Sequence, residues 1–558
     1  MRVLGVNALF HDPSAALVVD GQILAAAEEE RFTRRKHGKR PVPFAAWELP
    51  EQAARWCLEV GGLEPGDLDA VAYSFDPALA RPSEEMGLPD PWDWLRLRYA
   101  ERAPWFLATA LPGLSPDAVR FVPHEVAHAA SAALASPFET CSVMSLDGRG
   151  ERSSFLAGRY ADGKLETLAS QDLPHSLGLV YESLTEHLGF LRSSDEYKVM
   201  AFASYGRPRF LPELRGLLRT TPDGGFEAEA PDWSRWAEPA VPGAADEPGA
   251  GGPARDRADL AASVQARLEE LLVELATALH AHTGDDALTL AGGTALNCVA
   301  NSRLWRETPF EHVWVQPAAG DAGTALGAAL QLTAEAGVVP RPMTSAALGR
   351  SWSDDELARA LRTARVPFTT PPDLPGQVAA ALADDAMVAW FDGRSEFGPR
   401  ALGQRSLLAH PGHRANTERL NEVKGREQFR PVAPMVLLED APEIFSGGPV
   451  PSPYMLFVHE VAPGWRDRIP AAVHVDGTAR VQTVDDSQPR LQATLRAFRD
   501  RTGLPVVVNT SLNTAGRPMV DSPRDVLELF GSTPVDVLVL GPHLVWRADA
   551  FAPAGGAR

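Results

Sequence analysis

Apolar runs broken by turn residues open the chain. Residues 3–7, 15–19 and 23–27 read as three strands, with Asp20-Gly21 supplying the tight turn between the last two. The same order returns at 141–147, 154–157 and 165–169, with Asp162-Gly163 at the later turn. Two such meanders in tandem predict a duplicated α/β core. In each copy a polar loop, HDPS at 11–14 and DGRGE at 147–151, lies between the first two strands, so the two loops are expected to face each other across a cleft. Further on, 260–282 carries apolar residues at helical spacing and 287–290 is a short apolar strand. Before them, 228–259 is rich in Pro, Ala, Gly and acids without an apolar period, which predicts an exposed, flexible loop.

Paired meanders with facing loops are the arrangement of actin-like ATPase folds. At 338–344 the segment VVPRPMT breaks the pattern, and a new helix begins after it, capped at Ser353 with Asp354, Asp355 and Glu356 in its first turn. A chain of 558 residues is too long for one core, so the boundary is placed here, giving an actin-like domain over 1–342 and a second α/β domain over 350–558. Hydrophobic residues at 45% and charged residues at 23% exclude whole-chain disorder. No apolar run reaches the roughly 18 residues of a membrane span, and the first residues lack the regions of a signal peptide, so a cytoplasmic protein is expected. A net charge of −20 opposes broad binding to nucleic acid or anionic membrane, and any phosphate site must be local. Cys57, Cys141 and Cys298 are too few and too far apart for a disulfide framework or a metal knuckle and are assigned to the core.

Candidate chemistry begins with HEVAH at 124–128. On a helix it puts two imidazoles at i and i+4 on one face, as two ligands of one metal ion require. The letters also spell the zinc-protease pattern, but the chain lacks the downstream ligand of a protease. The next strand instead ends at Asp147, the better third ligand, and Asp321 is placed for a fourth. Two His and two carboxylates suit iron, zinc or manganese. Two glycine loops, one with Gly292, Gly293 and Asn297 and one with Gly320, each lead from a strand into a helix, so their backbone N–H groups are expected to approach a nucleotide. Between 394 and 430, eight Arg and Lys side chains stand against four Glu, a local excess suited to a phosphorylated substrate beside a nucleotide. Residues 474–480 and 506–513 read as short buried strands ending in polar side chains.

Together these stretches resemble the O-carbamoyltransferases of antibiotic biosynthesis and nodulation-factor modification, a family that includes enzymes acting on tobramycin and cephamycin. The resemblance spans essentially the whole chain and is carried by HDPSA at 11–15, EEERF at 28–32 with Lys36-His37, HEVAH, DEYKVM at 195–200, GGTALN at 292–297, Gly320-Asp321, FGPRALGQRS at 397–406, KGR at 424–426, RPVAP at 430–434 and NTSLN at 509–513. It implies an actin-like domain followed by a YrdC-like domain. In the second, carbamoyl phosphate and ATP, with Mg2+, would give carbamoyl-AMP, with Lys424 and Arg430 in catalytic positions and Arg400, Arg480, Asn509 and Ser511 contacting phosphate and nucleotide. In the first, a divalent metal, Fe2+ by resemblance, would be held by His124, His128, Asp147 and Asp321, with His11 helping to deprotonate the hydroxyl of a small-molecule acceptor such as an antibiotic, sugar or macrolide. The resemblance also implies internal passage of the adenylate. Acceptor specificity is expected in 76–114, whose Trp92, Trp94, Trp105 and Phe106 could line an apolar or sugar-binding wall, and in 210–259. Competing readings are a tRNA threonylcarbamoyl transferase, which needs a basic groove, a zinc metalloprotease, and a non-catalytic actin-like nucleotide sensor that leaves the His pair and the arginines without a role.

Overall fold

Both predicted meanders form, and each is the antiparallel half of a five-stranded sheet. The structure, a computed structural model, describes residues 1–38, 48–88, 92–241 and 252–551. In the first sheet the order is Gln22–Glu28, Ser14–Val19, Arg2–Asn7, Ala70–Tyr73, Val119–Phe121. In the second it is Lys164–Asp172, Ser153–Ala161, Thr140–Leu146, Ala287–Ala291, His312–Val315. Each sheet has antiparallel pairs up to its first strand and parallel pairs beyond it. The shared order is the duplicated actin-like arrangement. Parallel pairs need crossovers, and these strands are apolar on both faces because the crossover helices cover them.

Close packing ties the two halves of this fold together. Helix Ala322–Glu335, which comes after the last strand of the second sheet, packs on Arg2–Asn7 and Ser14–Val19 of the first and on helix His124–Ala133. A Cβ on Gly5 would overlap the carbonyl of Ala325, and one on Gly327 would overlap the carbonyl of Ala127. At these two positions hydrogen is the only side chain that fits. Polar ties reinforce the fit: the Ser14 hydroxyl donates to the Ala322 carbonyl at 2.7 Å, and the Thr324 hydroxyl donates to the Ser74 hydroxyl at 2.8 Å.

Residues 242–251 of the expected flexible loop lie outside the described residues. Ahead of them Trp233 is buried, and beyond them the helix read from 260 begins at Pro253 and runs to Thr283. Its first two turns hide their period because they bury Ala254, Arg257, Ala258 and Asp259, small or charged residues in place of large apolar ones. Cys57, Cys141 and Cys298 are buried and unbridged. No helix among the described residues is long and apolar enough to cross a membrane.

Contacts divide the chain into two units, Met1–Ser345 and Ala346–Arg558. The second is built on a mixed seven-stranded sheet ordered Gln482–Val484, Ala433–Leu437, Val506–Ser511, Arg405–Ala409, Val388–Phe391, Val537–Leu540, His543–Trp546. Its core gathers Trp390, Phe391, Phe498 and Phe530. Helix Asp354–Thr363 carries the expected cap, with Ser353 and Glu356 in a reciprocal capping box. The strand read over 474–480 is shorter than its sequence pattern: 474–477 is a turn with Gly477 at φ 83°, and only Thr478–Arg480 is extended.

Packing and burial each generate a test. Gly327→Val should destabilise the amino-terminal unit by about 3 kcal/mol, seen as a lower thermal transition than wild type; an unchanged melt would remove the argument for close approach. Glu29 accepts from the N–H groups of Gln52 at 3.2 Å and Ala53 at 2.8 Å, and burial pushes its carboxyl up to about 7 from 4.5. The native state therefore binds more protons than the unfolded chain between those values, and this contribution to stability is lost as pH rises through about 7. Replacing Glu29 with Gln should flatten the fall in melting temperature between about pH 5 and about pH 8.

Candidate metal centre and cation cluster

Helix His124–Ala133 starts where Glu151 caps it, its Oε1 accepting from the N–H of His124 at 2.8 Å and of Asp76 at 2.7 Å. One turn apart on this helix, His124 and His128 point at the same space as Asp147, at the end of Thr140–Leu146, and Asp321, just ahead of helix Ala322–Glu335. All four are buried, and one donor atom of each lies within 4.8 Å of the others. His124 Nε2 is 3.7 Å from both Asp147 and Asp321, and His128 Nε2 is 3.6 Å from Asp321 and 4.0 Å from Asp147. These separations exceed hydrogen-bond range.

His124 Nε2, His128 Nε2 and both carboxylate oxygens of Asp321 are buried with no hydrogen-bond partner. Burying four such atoms unpaired is costly, and a divalent cation at their common focus removes the cost. The residues fit a metal. The Nδ1–H of His124 donates to the carbonyl of Ser74 at 3.1 Å, which leaves the Nε2 lone pair facing inward. Gly293 N–H donates to Asp147 Oδ1 at 2.8 Å and orients that carboxylate. Burial opposes charge on His124, but Asp147 and Asp321 outweigh it and hold the imidazole well above its ordinary range. Asp321 is held far below the usual carboxylate range, the surrounding histidines overcoming its burial. Glu125, the base a metalloprotease would use, takes a hydrogen bond from the Ser145 hydroxyl at 2.5 Å, and burial pushes it up to about 8.

His11 stands at the rim, a quarter exposed, with Nε2 3.6 Å from Asp321 Oδ2. Its Nδ1 is 2.9 Å from Asp12, whose other oxygen meets His37 Nδ1 at 2.7 Å. Asp12 thus bridges two imidazoles, and they hold its carboxyl well below its ordinary range against the effect of burial. Nothing in the sequence gave Asp12 and His37 a role beyond the motifs that contain them; their adjacency depends on both adopting positive φ, 50° and 59°.

The glycine loops hold the centre together. Gly292, at φ 86°, lets the chain pass against the Leu146 carbonyl, where a Cβ would overlap. Asn297 caps helix Cys298–Glu307 by accepting from Ala300 N–H at 3.1 Å and pairs its amide with Gln265. At Gly320 a Cβ would meet only Leu296, at 3.9 Å. In 76–114 the aromatics expected to form a wall are exposed, Trp94 at 60% and Trp105 at 54%, while Asp93 and Arg96 of helix Asp93–Ala110 are mostly buried.

In the carboxyl unit, strand Val506–Ser511 is apolar until Asn509, where it pairs with Leu408 on one side and Ala433 on the other. Asn509 donates to the carbonyl of Ala401, the residue after Arg400, at 3.0 Å and to Gln482, two residues past Arg480, at 2.8 Å. Asn509 Oδ1 and Arg480 Nε are buried without a partner. Lys424, at the end of helix Ala415–Lys424, extends its ammonium to Ser511 and Asn513, 3.0 Å from Ser511 Oγ and 2.6 Å from Asn513 Oδ1. Arg430 pairs with Glu427 at 3.4 Å, and its carbonyl accepts from Asn421. Glu396, which has no sequence signature of its own, shapes the Arg400 loop by accepting from the N–H groups of Leu402, Gln404 and Arg405 at 2.7, 3.0 and 3.1 Å.

The family profile described as Carbamoyltransferase N-terminus matches residues 2–83 and 110–330, and the one described as Carbamoyltransferase C-terminus matches 379–547. The chain belongs to the carbamoyltransferase family. This carbamoyltransferase is 36% identical to nodulation protein NolNO of Sinorhizobium fredii, over 98% of this chain and 80% of that protein. Nodulation protein U of the same organism is 32% identical over 93% of this chain and 94% of its own. An uncharacterised protein of Synechocystis is 35% identical over 97% and 95%. Among solved structures, T. kodakarensis HypF is 15% identical with a TM-score of 0.33, over 60% of this chain and 48% of that one. A protein of this family is a carbamoyl-transfer enzyme.

If the four buried residues hold a metal, His128→Ala and Asp321→Asn should each weaken retention of Fe2+, Zn2+ or Mn2+ by at least about 100-fold, measured by elemental analysis after gel filtration. Retention equal to wild type would show that the ion sits elsewhere.

Proposed function

We propose that this carbamoyltransferase works in two steps, one in each unit, and carries the carbamoyl group from carbamoyl phosphate to a hydroxyl of a small molecule by way of carbamoyl-AMP. The reading is carried by the buried quartet of His124, His128, Asp147 and Asp321, with His11 at its edge, in a chain of this family.

In the carboxyl unit, carbamoyl phosphate gives up its phosphate to water, and an oxygen of the carbamate attacks the α-phosphorus of ATP, brought as its Mg2+ complex, with pyrophosphate leaving. Arg400, Arg430 and Arg480 supply guanidinium forks for the phosphate oxygens. Lys424 contributes a fixed positive charge, since its protons are taken up by Ser511 and Asn513, and it positions the Ser511 hydroxyl and the Asn509 end of the strand for the nucleotide. In the amino-terminal unit the acceptor oxygen attacks the carbamoyl carbon and AMP leaves. His11, its Nδ1 held by Asp12, receives the hydroxyl proton at Nε2. A divalent metal held by the quartet would supply Lewis-acid stabilisation of the developing negative charge. Gly293 keeps a side chain off Asp147, and Gly292 lets the chain pass against Leu146 just before it.

Lys424→Ala and the near-isosteric Lys424→Met should each lower pyrophosphate release from ATP and carbamoyl phosphate, without acceptor, by at least about 100-fold, with retained circular dichroism and retained metal. Full pyrophosphate release in both variants would remove the assignment of adenylation to this cluster.

A further inference from the structure

Just past strand Val506–Ser511, one side chain touches two of the groups given a part in adenylation. The N–H of Asn513 donates to the Ser511 carbonyl at 3.0 Å, a tight turn that brings the Asn513 amide back to the Ser511 side chain. Its Oδ1 there accepts from the Ser511 hydroxyl at 2.7 Å and from the Lys424 ammonium at 2.6 Å. The other end of the amide is held as well, because Nδ2 donates to the Arg517 carbonyl at 2.8 Å. Two donors on one side and a carbonyl on the other leave the amide a single orientation.

The segment that carries Asn513 is itself seated on the helix that carries Lys424. Arg517 N–H donates to the Thr514 carbonyl at 3.2 Å and closes a turn over 514–517. Gly425 ends helix Ala415–Lys424 in the left-handed conformation, and a Cβ placed on it would meet Ala515 of that turn at 3.5 Å. The carbonyls of Ser511 and Asn513 also accept from Lys424, the second at 3.1 Å. A lysine stem is long and flexible, and ordering it at the moment of reaction would add to the barrier. Here a neighbouring turn orders it beforehand.

We infer that Asn513 is a positioning residue for adenylation, which fixes the Lys424 ammonium and the Ser511 hydroxyl against each other through one amide oxygen. The inference rests on the reading that places carbamoyl-AMP formation in the carboxyl unit. The residue type matters as much as its place. A carboxylate here would accept the same two hydrogen bonds, but it would set a negative charge directly on the ammonium and in the path of phosphate oxygens. It would also turn an oxygen toward the Arg517 carbonyl, where the amide now donates. An amide orients the pair and adds no charge of its own.

The test follows pyrophosphate release by the full chain from ATP, Mg2+ and carbamoyl phosphate, without acceptor. Asn513→Ala should lower kcat by about tenfold and change the KM for ATP by less than about threefold, since positioning acts on the transition state more than on binding. The isosteric Asn513→Asp should lower kcat/KM by about tenfold more than Asn513→Ala, with a higher KM for ATP. In the Lys424→Met background, Asn513→Ala should cost less than about threefold, because most of what the amide positions is already gone. Wild-type rates in Asn513→Ala, equal or better rates in Asn513→Asp than in wild type, or fully additive losses in the double variant would each overturn the inference. So would losses found only in variants whose circular dichroism departs from wild type, which would assign Asn513 to folding alone. Absence of pyrophosphate release in wild type would instead overturn the adenylation reading, and this inference with it.

Discussion

Helix Ala322–Glu335 against helix His124–Ala133 is the contact on which the amino-terminal unit depends. The backbones approach so closely that Gly327 faces the Ala127 carbonyl with no room for a Cβ, and Gly5 faces Ala325 in the same way across the first sheet. One helix thereby touches both halves of the duplicated fold. Because Asp321 stands at the N-terminal end of that helix and His124 and His128 are on the other, the distance between carboxylate and imidazoles is set by glycine packing. Larger residues at these positions would separate the ligands before they changed any of them.

Electrostatics then account for the composition of the quartet. Two carboxylates and two imidazoles, all buried, are poorly satisfied by one another at 3.6 to 4.0 Å. Their outer partners are well made: Ser74 for His124, Gly293 for Asp147, and Glu151 for the helix start. The supports serve orientation, and the inward atoms are left for a cation. At the rim, Asp12 does for His11 what Ser74 does for His124, fixing one ring nitrogen so that the other faces Asp321.

The carboxyl unit shows why a charge count is a blunt instrument. Of the eight basic residues between 394 and 430, Arg405 is fully buried and donates to the carbonyls of Asp392, Gly393, Gln404 and Arg350, with its guanidinium 3.7 Å above Phe391. Arg419 pairs with Asp385, and Arg394 donates to the carbonyls of Gly349 and Leu348. These hold loops. Lys424 differs: its ammonium reaches Ser511 and Asn513 at the polar end of the strand, and Ala401, next to Arg400, accepts from Asn509.

Much of this was legible in the chain. Apolar runs with Asp-Gly turns specified both meanders, Ser353 with Glu356 specified a helix start, and the i, i+4 histidines specified two imidazoles on one helix face, because each of these signals acts within a few residues. The start of the helix at Pro253 was hidden because its first turns bury alanine and charged side chains, and the strand before Arg480 is shorter than its apolar pattern because Gly477 turns the chain. Asp12 between two imidazoles and Glu396 under the Arg400 loop had no local signature. Residue types and local conformation were thus determined by the sequence itself, since propensity and periodicity act over short range. Which carboxylates meet which histidines, and which arginines hold loops, only the tertiary structure decided, because those distances are set by packing between segments far apart in the chain.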